Sequence, residues 1–305
     1  MKRKYDFLED ILEKEDIKFN ESMKKHTTVK IGGLCDVLVT PTTIEQIEKL
    51  IIKLKTDNIK YYIIGNGSNL LVCDEGVNGV VIKIANKFSN IEFDDTKVTA
   101  LAGCSVPRLA QEAKKEGLSG LEFACGIPGT VGGCTRMNAG CYGAEFSNIV
   151  EKVVYLDENS NIKTISNKDI NFSYRNTIFK NNPTWTIISV TLNLKKDDMN
   201  KIDERMKENS IARKLKQPLE YPNFGSVFKR PEGYFVGKLI QDAGLKGYTI
   251  GGAQVSTKHT GFIVNINSAT YADVISLIKH IQKIVYEKFG VKLETEVEII
   301  GGEKL

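Results

Sequence analysis

No run of apolar residues in this 305-residue chain approaches the roughly 20 that a membrane-spanning helix requires. The most apolar stretches, residues 80–85 and 262–264, are far shorter. No basic stripe is present either. Forty-two Lys and Arg face 38 Asp and Glu, a net charge of +4. That balance argues against a nucleic-acid partner and leaves small anionic ligands open. The first residues are charged and lead into an acidic amphipathic segment, without the apolar core of a secretory signal. A cytoplasmic location without membrane insertion is therefore expected.

No pair among Cys35, Cys73, Cys104, Cys125, Cys134 and Cys141 has C-x-x-C spacing. The gaps separating Cys125, Cys134 and Cys141 fit neither ferredoxin pattern, so no metal is expected. Internal repeats and low-complexity tracts are lacking too. What remains is an ordinary globular balance, 41% hydrophobic and 26% charged. It suffices for a sizeable core and excludes a disordered or collagen-like chain. At roughly 150 residues per domain, the length suggests about two domains.

Three textures follow one another. Residues 31–194 are rich in strands and glycine, 198–216 are polar with helical spacing, and 218–305 mix helix and strand. Ile44, Ile47, Leu50, Ile51 and Leu54 share one face of a helix over 43–54, with Thr42 and Glu45 as a capping box. Residues 61–64, 80–84 and 98–101 read as strands, and 153–156 with 162–165 as a hairpin. Residues 188–194 alternate like a half-buried strand. Helices are expected over 235–240 and 274–289, stopped by Gly244 and Gly290, and a terminal strand over 291–300. This order argues for α+β rather than a doubly wound parallel sheet.

Two glycine-rich loops stand out. Gly65-Asn66-Gly67-Ser68-Asn69 directly follows a strand. Glycine there permits positive φ and leaves N–H groups facing an anion. It lacks the helix and distal acid of a Rossmann site. The second runs Gly126-Ile127-Pro128-Gly129-Thr130-Val131-Gly132-Gly133, and Asn138-Ala139-Gly140 follows closely. Ordering so much glycine costs backbone entropy. The pair of loops suggests a dinucleotide whose pyrophosphate lies between them.

These loops resemble the FAD-binding domain of the p-cresol methylhydroxylase and vanillyl-alcohol oxidase superfamily. Three further motifs narrow the resemblance: Ser173-Tyr174-Arg175-Asn176, Gly225-Ser226-Val227-Phe228-Lys229 and Leu293-Glu294-Thr295-Glu296-Val297. Together, from His26 to Gly301, the chain resembles the UDP-N-acetylenolpyruvoylglucosamine reductases, also called UDP-N-acetylmuramate dehydrogenases. Only residues 176–186 separate Arg175 from the next strand, which leaves no room for the insertion of the longer branch. The match is therefore to the shorter, type II branch.

The resemblance implies an FAD-binding domain of two α+β subdomains over residues 1–197, with a subdomain boundary near 57–60. It further implies an α+β substrate domain over 198–290 and a C-terminal strand over 291–305 carrying a catalytic glutamate. Non-covalent FAD is implied at Gly65, Asn66, Gly67, Ser68, Asn69, Ile127, Pro128, Gly129, Thr130, Gly132, Gly133, Asn138, Ala139 and Gly140. NADPH is the implied co-substrate, and UDP-N-acetylglucosamine-enolpyruvate, a peptidoglycan precursor, the implied substrate. Tyr174, Arg213, Lys216 and His259 are its implied contacts. Arg175, Ser226 and Glu296 are the implied catalytic residues; the sequence leaves the oligomeric state open, a monomer included.

The chemistry suits these residue types. Hydride addition to an enol ether leaves negative charge spread toward the carboxylate, which a permanently cationic guanidinium at Arg175 stabilises. Ser226 supplies the proton to the neighbouring carbon. An ionised Glu296 would repel that charge, so it is expected to carry a proton when it acts.

Overall fold

The computed structural model describes residues 2–302, and its architecture is α+β. The chain divides into two compact units. Unit 1 comprises Met1–Phe19, Val37–Asn66 and Gly79–Arg213, and unit 2 comprises Asn20–Asp36, Gly67–Asn78 and Lys214–Leu305.

Unit 1 is built on a five-stranded antiparallel sheet. Its order is Ile162–Ser166, Val150–Leu156, Thr186–Asn193, Lys97–Leu101, Ile91–Asp94. The expected hairpin forms, with Leu156 opposite Ile162. Thr186–Asn193 differs from expectation. It lies at the centre of the sheet, with α3 (Val131–Arg136) packed against it, and residues of both alternating sets, Ile187, Val190, Thr191 and Leu192, are buried, so one face is not left to solvent. Tyr61–Ile64 runs parallel to Val77–Lys83, with Tyr61 opposite Val80.

The helices of unit 1 are α1 (Ile44–Thr56), α2 (Val106–Lys115), α3 (Val131–Arg136), α4 (Ile178–Asn181) and most of α5 (Met199–Lys216). In α1, Ile47, Leu50, Ile51 and Leu54 are buried as their spacing requires. Its cap lies one residue later than expected. Thr43 Oγ1 accepts the Gln46 N–H at 3.1 Å, and the Gln46 side chain accepts from Thr42 N at 2.8 Å. Gln46, not Glu45, stands at the third helical position, and its side chain reaches the residue before the cap rather than the cap itself, so the box is not closed.

Unit 2 centres on an antiparallel sheet ordered Asn223–Ser226, Phe262–Asn265, Ala253–Val255, Thr249–Ile250. It shares a core with α6 (Val236–Asp242) and α7 (Tyr271–Phe289), including Phe224, Leu239, Val255, Leu277 and Ile281. Val29, Ile31 and Leu71, from far earlier in the chain, belong to the same core. Thr270 and Asp273 cap α7, and Gly290, at φ 69°, ends it. The expected strand over 291–300 shrinks to Glu298–Ile300, parallel to Leu70–Val72. Residues 294–296 instead bond to 227–229, so they are held without a regular ladder.

Candidate active site

In unit 1, the two glycine loops meet. Asn66 Nδ2 donates to Pro128 O at 3.1 Å. A Cβ on Gly65 would stand 2.5 Å from Thr130 Oγ1. Thr130 in turn caps α3 by accepting the Gly133 N–H at 3.2 Å. Residues 129–132 run beside 102–106, through Val106 N to Gly129 O (3.1 Å), Val131 N to Cys104 O (2.8 Å) and Gly132 N to Ala102 O (2.9 Å). Much of the glycine therefore serves close approach to the protein itself. Cβ atoms would fall 2.8 Å from Ala102 Cβ at Gly132 and 2.6 Å from Glu145 Cβ at Gly140.

The residues present fit the pyrophosphate of a dinucleotide. Among the described residues, the N–H groups of Gly65, Asn66, Gly129 and Thr130 donate to no protein acceptor, although the loops carrying them touch. A concentration of unpaired amide donors is the donor set a phosphate accepts from.

Asn138 anchors the next stretch. It is fully buried and left-handed, φ 43°. Its amide donates to Ser173 O at 3.1 Å and accepts the Ser147 N–H at 2.9 Å. This ties the Tyr-Arg motif to the loop that precedes it. Arg175 is also left-handed, φ 54°, and its guanidinium donates to Gly140 O (2.9 Å) and Asn138 O (3.4 Å). The same guanidinium lies 5.1 Å from the ring of half-exposed Tyr174. Thr177 Oγ1 donates to Arg136 O at 2.7 Å and closes the attachment. Asn adopts the left-handed region readily, whereas an arginine there carries backbone strain of about 1–3 kcal/mol.

Arg213, late in α5, lies against Gly126. A Cβ there would be 2.9 Å from Arg213 Cδ. Its neighbours are Cys125, Cys141 and Tyr142, and burial pulls its pKa down. Cys141 Sγ donates to Phe123 O at 2.8 Å, and burial pushes its thiol up to about 11, which keeps it protonated.

In unit 2, the serine and glutamate motifs run side by side. Glu296 N donates to Val227 O at 2.8 Å, Lys229 N to Glu294 O at 2.8 Å, and Lys229 Nζ pairs with Glu294 at 3.0 Å. Asn69 holds the glutamate motif from its other side, donating from Nδ2 to Glu296 O (3.0 Å) and accepting from Glu298 N (3.0 Å). Gly67 O accepts from Thr28 N at 3.2 Å, and Thr28 Oγ1 donates to Asn223 O at 2.6 Å.

Ser226 is exposed and sits beyond a register irregularity between the pairs Asn223–Val264 and Ser226–Phe262. Gly225, at φ 84°, makes that irregularity, with Asn223 Oδ1 accepting its N–H at 3.0 Å. Such a bulge re-aims the next side chain. Glu296 is half-buried and Lys216 is exposed.

His259 accepts the Gly261 N–H at Nδ1 (3.2 Å), which puts the ring proton on Nε2. Burial lowers its pKa, so it is neutral at pH 7. With Gln241, Lys246 and Lys258 it lines a cavity of about 210 Å³.

Sequence reading passes over Glu122, Arg205 and Asn209, which dock α5. The one signal for them is the i, i+4, i+8 spacing of Arg205, Asn209 and Arg213 along one helical stripe.

Comparison with known proteins gives a consistent result. Residues 35–166 match the FAD binding domain family, and 217–300 match the C-terminal domain of UDP-N-acetylenolpyruvoylglucosamine reductase. A reductase of that name from Caldanaerobacter subterraneus is 48% identical over 97% of this chain and 97% of its own. One from Clostridium botulinum is 47% identical, covering 97% and 96%. The crystal structure of the Thermus caldophilus enzyme superposes with a TM-score of 0.78 at 36% identity, over 93% of this chain and 98% of that one. With relatives this similar matched from end to end, the chain belongs to the UDP-N-acetylenolpyruvoylglucosamine reductase family.

Proposed function

We propose that this protein is an FAD-dependent oxidoreductase. It reduces the enolpyruvyl ether of UDP-N-acetylglucosamine-enolpyruvate to UDP-N-acetylmuramate with NADPH as electron donor. When bound, FAD supplies the hydride. The unpaired amides of Gly65, Asn66, Gly129 and Thr130 would hold its phosphates, beside the loop of Asn138, Ala139 and Gly140.

The chain's own residues do the rest. Arg175 pairs with the substrate carboxylate, where charge accumulates as the double bond is reduced, and stabilises it as a permanent cation. Ser226 donates its hydroxyl proton to the carbon next to the carboxylate. Glu296, carrying a proton, hydrogen-bonds the charged group without repelling it. Tyr174, Arg213, Lys216 and His259 bind the nucleotide sugar. The observation that carries this reading is the pinning of the serine and glutamate motifs to one another through the bonds of Val227 to Glu296 and Lys229 to Glu294.

The test separates the two half-reactions. Ser226→Ala is expected to slow flavin reoxidation by the sugar nucleotide about 10²–10⁴-fold, the usual worth of a positioned general acid. Flavin reduction by NADPH should stay within about twofold of wild type, because it needs no such proton. Across roughly pH 5 to 9, wild-type reoxidation should lose rate as pH rises, the sign for an acid that must stay protonated. Equal effects of the substitution on both half-reactions would remove Ser226 from the proton step.

A further inference from the structure

The polar stripe of α5 is matched by one short segment, residues 119–126. Glu122 is buried, and its carboxylate is fully engaged. Oε1 accepts from Arg205 Nε (3.1 Å), Arg205 Nη2 (2.7 Å) and Ser119 Oγ (2.8 Å), while Oε2 accepts the Gly120 N–H (2.7 Å). Asp197 also holds Arg205 Nη2, at 2.5 Å. One turn along, Asn209 Nδ2 donates to the backbone carbonyl of Glu122 at 2.9 Å, and Tyr142 OH donates to Asn209 O at 3.1 Å. One turn further, the Arg213 side chain lies over Gly126, its Cδ 2.9 Å from where a Cβ would stand.

The contrast along this stripe is informative. Arg205 is satisfied by two carboxylates. Arg213, equally cationic, has no carboxylate or hydrogen-bond acceptor among the described residues, and only Cys141, Tyr142 and Cys125 surround its charge. A half-buried guanidinium without a counter-ion has lost hydration and gained nothing in exchange, which a bound anion would reverse. Burial also acts on Glu122, pushing its carboxyl up, but the Arg205 and amide hydrogen bonds outweigh it and hold it below the usual range.

We propose that Glu122, Arg205 and Asn209 are positioning residues that fix the register of α5, so that Arg213 is presented over Gly126 to a phosphate group of a nucleotide substrate. The inference rests on the reading of Arg213 as a substrate contact. The two ends of the seam constrain different motions of α5. A charge-assisted fork at Arg205 sets the helix's position, and a backbone-directed amide at Asn209 sets its rotation. Sliding α5 by one residue would turn Arg213 by about 100° away from Gly126.

Both the sugar nucleotide and NADPH carry phosphates, so the experiment measures KM for each, with kcat and FAD affinity, in a double-mutant cycle. The variants are Glu122→Gln, Arg213→Ala and the pair. Glu122→Gln is expected to raise KM for one or both nucleotides about tenfold, corresponding to ~1.4 kcal/mol, with kcat within about threefold. Which KM moves identifies the phosphate's source. In the Arg213→Ala background the same substitution should leave KM unchanged. An additive effect there, or no effect in the wild-type background, overturns the proposal while leaving Arg213 a substrate contact. Arg213→Ala without any change in KM overturns both. Should Glu122→Gln fail to fold, Asn209→Ala, which removes a single hydrogen bond to Glu122, takes its place in the same cycle with the same criteria. Arg205→Lys, which keeps charge and loses the fork, should reproduce the KM effect.

Discussion

At the scale of single residues, glycine serves two different ends in this protein. Gly65 and Gly225 show the distinction. A Cβ on Gly65 would lie 2.5 Å from Thr130 Oγ1 and 3.2 Å from its Cγ2, so space forbids a side chain. At Gly225 nothing lies within 4 Å, but φ is 84°, so conformation is the constraint. Gly65→Ala should therefore push Thr130 away and weaken its cap on Gly133 N. Losing a cap costs about 0.5–2 kcal/mol, and overpacking about 1–3 kcal/mol. Thermal unfolding should show a lowered midpoint, and the purified variant should retain less flavin. A variant as stable and as yellow as wild type would mean that the loops do not depend on this contact. Sequence showed where the glycines were, and it suggested a ligand as their reason. It could not show that Gly126 makes way for Arg213, or Gly132 for Ala102, because both neighbours are distant in sequence and meet only in the fold.

At the scale of elements, local chemistry was legible where one segment decides the outcome. The hairpin of Val150–Leu156 and Ile162–Ser166 is an example, because its turn carries its own determinant. Asp157 is buried at the start of the turn and accepts the N–H groups of Asn159 (2.8 Å) and Asn161 (2.9 Å). Lys163 pairs with it at 2.8 Å. The bond from Lys163 and these amides hold its carboxyl well below the usual carboxylate range. A depressed folded-state pKa makes a contribution that is complete above the unfolded value, about 3.9, and disappears as pH falls through the folded one. Asp157→Asn should lower the unfolding midpoint most at neutral pH, and the gap from wild type should narrow as the buffer is made more acidic than about pH 4. A gap independent of pH would assign the loss to shape rather than charge. Elements whose state depends on partners were read less well. Thr186–Asn193 reads as half-buried because its sequence alternates, yet residues of both alternating sets are buried, because the packing of other elements on the sheet decides burial and is not local in the sequence. Residues 291–297 have strand-like composition, but Glu294 and Glu296 bond to Lys229 and Val227 outside any regular ladder. The i, i+4, i+8 stripe of α5 is visible in the sequence, but not that Glu122 answers it.

At the scale of the whole molecule, chain order and compactness do not coincide. The motifs that identify the family could be read in order, since each is local. The division into units could not, because the changes from unit 1 to unit 2 after Phe19, and back after Asp36 and Asn78, fall inside the strands Ile17–Ser22, Leu34–Val39 and Val77–Lys83. No loop or linker composition marks them. The consequence is thermodynamic. Val29, Ile31 and Leu71 are fully buried in the core of unit 2, each contributing about 1.5–3 kcal/mol by its burial. Asn265 Nδ2 donates to Val29 O at 3.0 Å, and Asp74 accepts the N–H groups of Tyr271 and Ala272 at the start of α7 (2.9 and 3.2 Å). A fragment of residues 214–305 lacks all of these, along with the Leu70–Val72 strand that pairs with Glu298–Ile300. Because a domain is stable by only about 5–15 kcal/mol, this loss is of the order of its entire margin. The fragment expressed alone should lack a cooperative thermal transition and show poorly dispersed amide resonances. A sharp transition in that fragment would mean that its own sheet and two longer helices suffice, and that the earlier segments add stability to a unit already able to fold.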